Sequence, residues 1–195
     1  MLWLVVPRKQ AVKFFIREIL MKGKKVQLIP LEEEHLAKSR FWVNDAFLSS
    51  KMLRVLPVTK SEQEKWYQDI VQNPLKIVFA IKTLDGGEHI GNTGLYCIDW
   101  IHRRAEFWIL IGERNFREKG IGAEVVSLMK RYAFNGLNLN KLYLNVGADN
   151  QEAIYLYKKQ NFIQEGILRE DYYIEGKYLD IIIMAILRKD YGCKE

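Results

Sequence analysis

Cysteine, proline and histidine are all scarce in this 195-residue chain: two, four and three residues respectively. Cys97 and Cys193 lie far apart and form neither a metal nor a redox motif. No disulfide framework and no metal site is therefore expected, and the two read as free thiols of a reducing, cytoplasmic compartment. So few prolines, with no low-complexity run and no internal repeat, exclude long linkers and solenoids. No apolar run reaches membrane-spanning length. Met1-Leu2-Trp3-Leu4-Val5-Val6 is too short, and no basic region precedes it, so neither a span nor a signal peptide is read there. The lysines and arginines are dispersed and fit no nucleic-acid motif. The net charge of +6 suits an anionic ligand, and it also suits plain solubility.

What is present points to one globular domain. An apolar content of 49% is enough for a single core. Residues 1–20 stand apart as an amphipathic helical extension, with Val12, Phe15, Ile16, Ile19 and Leu20 on one face. Three readings of it are open. It is an extra helix on the core or on the partner of a homodimer; it is a membrane-surface helix; or natural synthesis starts at Met21. The rest, 21–195, reads as the single globular domain.

The chain is organised around Arg117-Glu118-Lys119-Gly120-Ile121-Gly122-Ala123. Ile121, Val125, Leu128, Met129 and Tyr132 then share one helical face, so both glycines sit in a turn that opens a helix. Such a turn presents unpaired N–H groups and a positive dipole end, which together suit phosphate. Two other phosphate loops are excluded. There is no G-x-x-x-x-G-K-[ST], and Val125 stands where a dinucleotide fingerprint needs a third Gly or Ala. Arg104–Ile111, just before, reads as a buried strand.

The remaining elements follow from punctuation and period. Lys25–Ile29 reads as a strand and Glu32–Asn44 as a helix. Asp45–Lys60 is irregular, and a Ser61/Glu64 capping box opens a helix to Gln72. Strands at Lys76–Lys82 and Glu88–Ile98 are joined by Asp85-Gly86-Gly87. Lys141–Val146 is a strand, Asn150–Gln160 a helix, and Phe162–Tyr173 and Tyr178–Leu187 close the chain around Glu175-Gly176-Lys177. The fold class is α+β, with a mixed, mainly antiparallel sheet of about seven strands flanked by helices.

Two motifs carry a resemblance. Arg117-x-x-Gly120-x-Gly122-Ala123 resembles the acetyl-CoA pyrophosphate loop of the GCN5-related N-acetyltransferases, the GNAT superfamily. Asn150-x-x-Ala153-x-x-x-Tyr157-x-x-x-Asn161-Phe162 is similar to its second signature, with Asn161 where the family has Gly. Asn tolerates the left-handed conformation a helix end needs. His102–Phe107 and Asn140–Leu144 are similar to the branch of ribosomal-protein N-terminal acetyltransferases and spermidine acetyltransferases. The resemblance covers residues 24 to 190.

The resemblance implies acetyl transfer from acetyl-CoA, the cosubstrate, to a primary amine. The N–H groups of Lys119, Gly120, Ile121, Gly122 and Ala123 would hold the pyrophosphate, with Arg117 at its flank. Backbone of Ile109, Leu110 and Ile111 would pair with the pantetheine arm and polarise the thioester; one such donor is worth about 3 kcal/mol. Asn150 would be both helix cap and pantetheine contact. Tyr157 matches the general acid. A free phenol can protonate a thiolate at an uphill cost of about 2 kcal/mol.

The acceptor is read from the charges. Glu106 is the best candidate for a base, directly or through water; its plainer reading is a sheet-face carboxylate paired with Arg103 or Arg104. His35 and His89 read as surface residues. Weak base equipment favours an acceptor of lower pKa, foremost a protein N-terminal α-amine. Amino sugars, aminoglycosides and polyamines are the alternatives. A polyamine needs clustered carboxylates, but Lys51–Lys60 carries Lys51, Arg54 and Lys60 and no carboxylate. A non-catalytic CoA-binding regulatory module is the reading from another class.

Overall fold

The computed structural model describes residues 21–192. The expected helix over residues 1–20 and the thiol of Cys193 lie outside them.

Seven strands form one sheet: β1 Val26–Pro30, β2 Ile77–Thr83, β3 His89–Asp99, β4 Arg104–Ile111, β5 Lys141–Gly147, β6 Ile163–Ile174 and β7 Lys177–Leu187. Their order across the sheet is β1-β2-β3-β4-β5-β7-β6. Every neighbouring pair is antiparallel except β4 and β5. The helices are α1 Leu36–Val43, α2 Ala46–Lys51, α3 Lys60–Gln72, α4 Ile121–Arg131 and α5 Gln151–Lys159, with a final turn at Arg188–Tyr191. The mixed, mainly antiparallel sheet of the sequence reading is the sheet observed.

Strand alternation divides the core between two faces. Leu142, Leu144 and Val146 of β5 and Phe107 of β4 point to one face, where they meet Val125, Val126 and Met129 of α4 and Ile154 of α5. On the other face Val78 and Ala80 pack with Tyr67 and Ile70 of α3, and Leu110 packs with Trp42 and Leu48. The sheet is thus sandwiched between helix layers. The final hairpin turns at Glu175 and Gly176, both left-handed (φ 52 and 80°), in the Glu-Gly-Lys turn read from sequence. Asn161, standing in for the family's glycine, has φ 67°, the left-handed geometry that asparagine tolerates.

Three local expectations are corrected. Thr59, not Ser61, caps α3: its side chain accepts from Glu62 N, and Glu62 returns a bond to Thr59 N. Both pairs fit the S/T-x-x-E pattern, and the helix simply starts slightly earlier. The stretch 45–60 is not wholly irregular, because Asp45 caps α2 through Leu48 N at 2.9 Å. His35 and His89 are not surface residues; they are 3% and 8% exposed. Their rings meet edge to face at 4.7 Å, and Trp42 meets His89 in the same way. His89 Nε2 lies 2.9 Å from Asn92 Oδ1, Asn92 Nδ2 donates to Ser39 Oγ, and Ser39 Oγ donates to His35 O. The imidazoles are buried because α1 and the start of β3 close over a polar chain that ties the two elements together.

Candidate active site

The site begins where the sheet comes apart. β4 and β5 run parallel and pair only at Arg104–Lys141, Ala105–Leu142 and Glu106–Tyr143. Beyond Glu106, β4 stays paired with β3 as far as Ile111, but β5 leaves it and stays with β7. The β5-facing backbone groups of Phe107–Ile111 therefore have no strand partner, and a groove of about 690 Å³ opens there. An extended amide chain laid in it can take the place of the missing strand.

At one end of the groove α4 begins. Gly120 precedes it with φ 76°, a left-handed conformation in which a side chain is costly. The first helical bond runs from Glu124 N to Gly120 O at 3.2 Å. The N–H groups of Ile121, Gly122 and Ala123 come before the ladder and have no acceptor within it. Glu124 is held away from this turn, since its Oε1 accepts from Lys25 N and Val26 N of the β1 edge. Lys25 Nζ in turn donates to Lys119 O at 2.7 Å, adding a positive charge beside the loop. A diphosphate fits such a turn: free donors, a helix dipole and a lysine, with no side chain at Gly120 or Gly122 in the way.

The residues singled out in the sequence are placed unequally. Glu106, Ile109, Leu110, Ile111, Arg117, Gly122, Asn150 and Tyr157 line the groove. Lys119, Gly120, Ile121 and Ala123 form the turn and first helical residues at its end, and the Ile121 side chain is buried in the core. Arg117 is engaged with its own chain: Nε and Nη2 donate to the carbonyls of Ile111 and Gly112 at 3.2 and 2.7 Å, and the guanidinium lies over Phe47. It closes the end of β4 as well as charging the loop. Asn150 Oδ1 caps α5 by accepting from Ala153 N at 3.2 Å, which leaves its amide nitrogen for the groove.

Tyr157 is 7% exposed and packs against Phe107 and Phe162. Burial pushes its phenol above the ordinary range. A thiolate formed in the same cleft is desolvated too, so the gap between the two groups, which sets the cost of proton transfer, widens less than the phenol alone suggests. Glu106 does not pair with Arg103 or Arg104. Its Oε1 accepts from Asn145 Nδ2 at 3.1 Å, while Arg104 lies 3.6 Å from Asp99. His102 is exposed and bound to Asp99, away from the groove.

Beyond Glu106 the groove is aromatic, a feature that no sequence motif announces. Trp66, Tyr96, Trp108 and Tyr172 line it. Trp66 Nε1 donates to Tyr96 OH at 2.9 Å, and Lys76 Nζ lies over the Tyr96 ring. These side chains come from α3, β3, β4 and β6, so no local spacing joins them. Asn145 was also missed; a polar residue within the apolar run Leu142–Val146 was the one available signal. Among the described residues no group of three or more His, Cys, Asp or Glu could hold a metal ion, and no helix is long and apolar enough to cross a membrane.

A sheet opened between two parallel strands, with an anion-binding helix start at one end and a carboxylate and a tyrosine in the opening, is the geometry of an acyltransferase that holds a long phosphorylated thioester. The chain belongs to the GNAT acetyltransferase family: the model of the acetyltransferase (GNAT) domain matches residues 25–163. It is an N-acetyltransferase, and its cosubstrate is acetyl-CoA. The chain is similar to spermidine N(1)-acetyltransferase of Escherichia coli K12, 32% identical over 166 residues, which is 85% of this chain and 88% of that protein. Against spermidine N(1)-acetyltransferase of Vibrio cholerae the matched stretch is shorter, 39% identical over 102 residues, or 52% of this chain and 58% of that one. The solved structure of the Vibrio cholerae spermidine N-acetyltransferase in complex with CoA and spermine superposes with a TM-score of 0.82 at 30% identity, covering 87% of this chain and 99% of that one.

Proposed function

We propose that this enzyme acetylates a primary amine of a polyamine. The observation that carries this is the likeness, over most of its length, to spermidine N-acetyltransferases at about a third identity. The comparisons do not support the protein α-amine that the charges of the sequence favoured. The structure supplies a reason for the discrepancy. Of the three cations counted against a polycation, Lys51 lies 3.0 Å from Asp149 and Lys60 lies 3.8 Å from Glu64, while Arg54 lines the groove; Lys76, also in the groove, is paired with Asp69. Paired cations repel an incoming polyamine much less than a count of lysines implies. The aromatic lining suits alkylammonium groups, which are attracted to ring faces.

In this reading acetyl-CoA brings an activated acetyl group as a thioester. The N–H groups at the start of α4 hold its diphosphate, and the free backbone edge of β4 aligns its arm and polarises the carbonyl. Glu106 attracts the ammonium end of the acceptor and takes its proton, directly or through one water. The freed amine lone pair forms the C–N bond as the C–S bond breaks. Tyr157 gives its proton to the leaving sulfur, and the second N–H proton, shed by the nitrogen as it becomes an amide, restores the Tyr157 phenol. The work of Glu106 is larger for a polyamine than for an α-amine, because an amine near pKa 10.4 costs about 3 kcal/mol more to deprotonate at neutral pH than one near 8.

The test is an acceptor screen with free-thiol detection. Spermidine and spermine are compared with N-terminal peptides, amino sugars and aminoglycosides at equal acetyl-CoA. The expected result is a kcat/KM for the polyamines at least about tenfold above any peptide, a difference of about 1.4 kcal/mol in transition-state binding. Preference for a peptide α-amine would overturn the polyamine assignment.

A further inference from the structure

We propose that Asn145 is a positioning residue that fixes the carboxylate of Glu106 at the mouth of the sheet opening. The inference rests on the reading of Glu106 as the group that takes the acceptor's proton.

Glu106 stands on the last rung where β4 and β5 are paired, opposite Tyr143. Asn145 lies two residues further along β5, so it points to the same face as Tyr143 and Glu106. The strands have already separated there, and the β4–β5 ladder does not reach it. The Asn145 Nδ2 to Glu106 Oε1 bond, 3.1 Å long, bridges the two strands past that rung. Both residues line the same groove as Tyr157. Without the bridge, a glutamate on the lip of an open groove has three torsions to choose from, and most of its rotamers aim away from the reacting atoms.

The chemistry of the partner is suited to this task. An amide N–H is a neutral donor, so it orients one carboxylate oxygen without neutralising the charge that must attract the ammonium. It leaves Oε2 as the oxygen that receives the proton. An arginine in the same place would hold the carboxylate more firmly but would weaken it as a base. The neighbouring Arg104 is directed to Asp99 instead.

The test uses Asn145→Leu and Asn145→Asp in the full chain, beside Glu106→Gln and the Asn145→Leu/Glu106→Gln double variant, each with a melting curve. Asn145→Leu should lower kcat by about tenfold or more, a fraction of the usual worth of acid–base catalysis, and leave the KM for acetyl-CoA within about twofold. Asn145→Asp puts a like charge beside Glu106 and should move the acidic limb of the kcat/KM profile to higher pH. In the Glu106→Gln background Asn145→Leu should cost little more. Full kcat and an unmoved acidic limb in a folded Asn145→Leu or Asn145→Asp variant would overturn the positioning role, even with Glu106→Gln inactive. An equal loss with and without Glu106 would make Asn145 a staple of the strands only. A fully active Glu106→Gln would remove both the role of Glu106 and the proposal built on it.

Discussion

At the scale of single residues, Tyr157 and His89 are both buried, and burial acts on them in opposite directions. Tyr157 lies in an aromatic packet with Phe107 and Phe162, so Tyr157→Phe keeps the packing and removes only the hydroxyl. If Tyr157 is the general acid, kcat should fall by about 100-fold or more while acetyl-CoA affinity stays within a few-fold. A melting curve beside the rate separates this from a structural tyrosine, which would lower the melting temperature and leave kcat alone. His89 is held neutral: burial lowers its pKa from 6.5 to about 4. Its folded value is depressed, so the unfolded chain binds the proton more readily. Stability is therefore full above pH 6.5 and is lost as the pH falls towards 4, by about 3 kcal/mol from this one group. Burial also lowers the pKa of neighbouring His35, in the same sense. The melting temperature should fall steadily between about pH 6.5 and 4.5. His89→Gln, which keeps an N–H for Asn92, should flatten that fall; an unchanged slope would place the acid sensitivity elsewhere.

At the scale of elements, the proposed cosubstrate site rests on the start of α4 and the divergence of β4 from β5. The turn can hold a diphosphate only while its N–H groups are reachable. A Cβ at Gly122 would lie 3.2 Å from Leu156 Cδ2, the end of a flexible side chain that can shift by a few tenths of an ångström. Gly122→Ala should therefore fold and weaken acetyl-CoA binding modestly. Gly122→Asp adds a negative charge where the diphosphate would sit and should abolish binding in calorimetry, with the melting temperature close to that of Gly122→Ala. Unchanged affinity in folded Gly122→Asp would move the phosphate site off this turn.

At the scale of the whole molecule, Met21 marks where the described chain joins the core. Its side chain is 4% exposed, and its carbonyl accepts from Leu28 N at 2.8 Å. The described core is built from residues 21 onward. Deleting residues 1–20 while keeping Met21 should leave acetyl-CoA affinity unchanged and the melting temperature within a few degrees. A collapse of solubility or a large drop in melting temperature in the truncated protein would make the extension a component of the core or of a subunit contact. Acetyl-CoA should raise the melting temperature of both forms equally, since ligand stabilisation depends only on affinity and concentration.

Local pattern was enough for the strands, the longer helices, their order and the glycine turn before α4. Periodicity, turn residues and caps act within a few positions of themselves, so the chain displays them directly. The Gly120/Gly122 turn and the Asn150–Tyr157 helix could be read for the same reason. What tertiary structure alone decided is everything that depends on separated strands and helices meeting. The cap of α3 fell on Thr59 and not on Ser61, a choice that two overlapping S/T-x-x-E patterns left open in the sequence. His35 and His89 were buried by a helix closing on a strand far later in the chain. The charge balance of the acceptor end changed because Lys51 found Asp149, far along the chain. Trp66, Tyr96, Trp108 and Tyr172 came together from four elements, and Asn145 met Glu106 only because β4 and β5 diverge just past the Glu106–Tyr143 rung. Those contacts are set by the register and divergence of the sheet, which no short stretch of sequence contains.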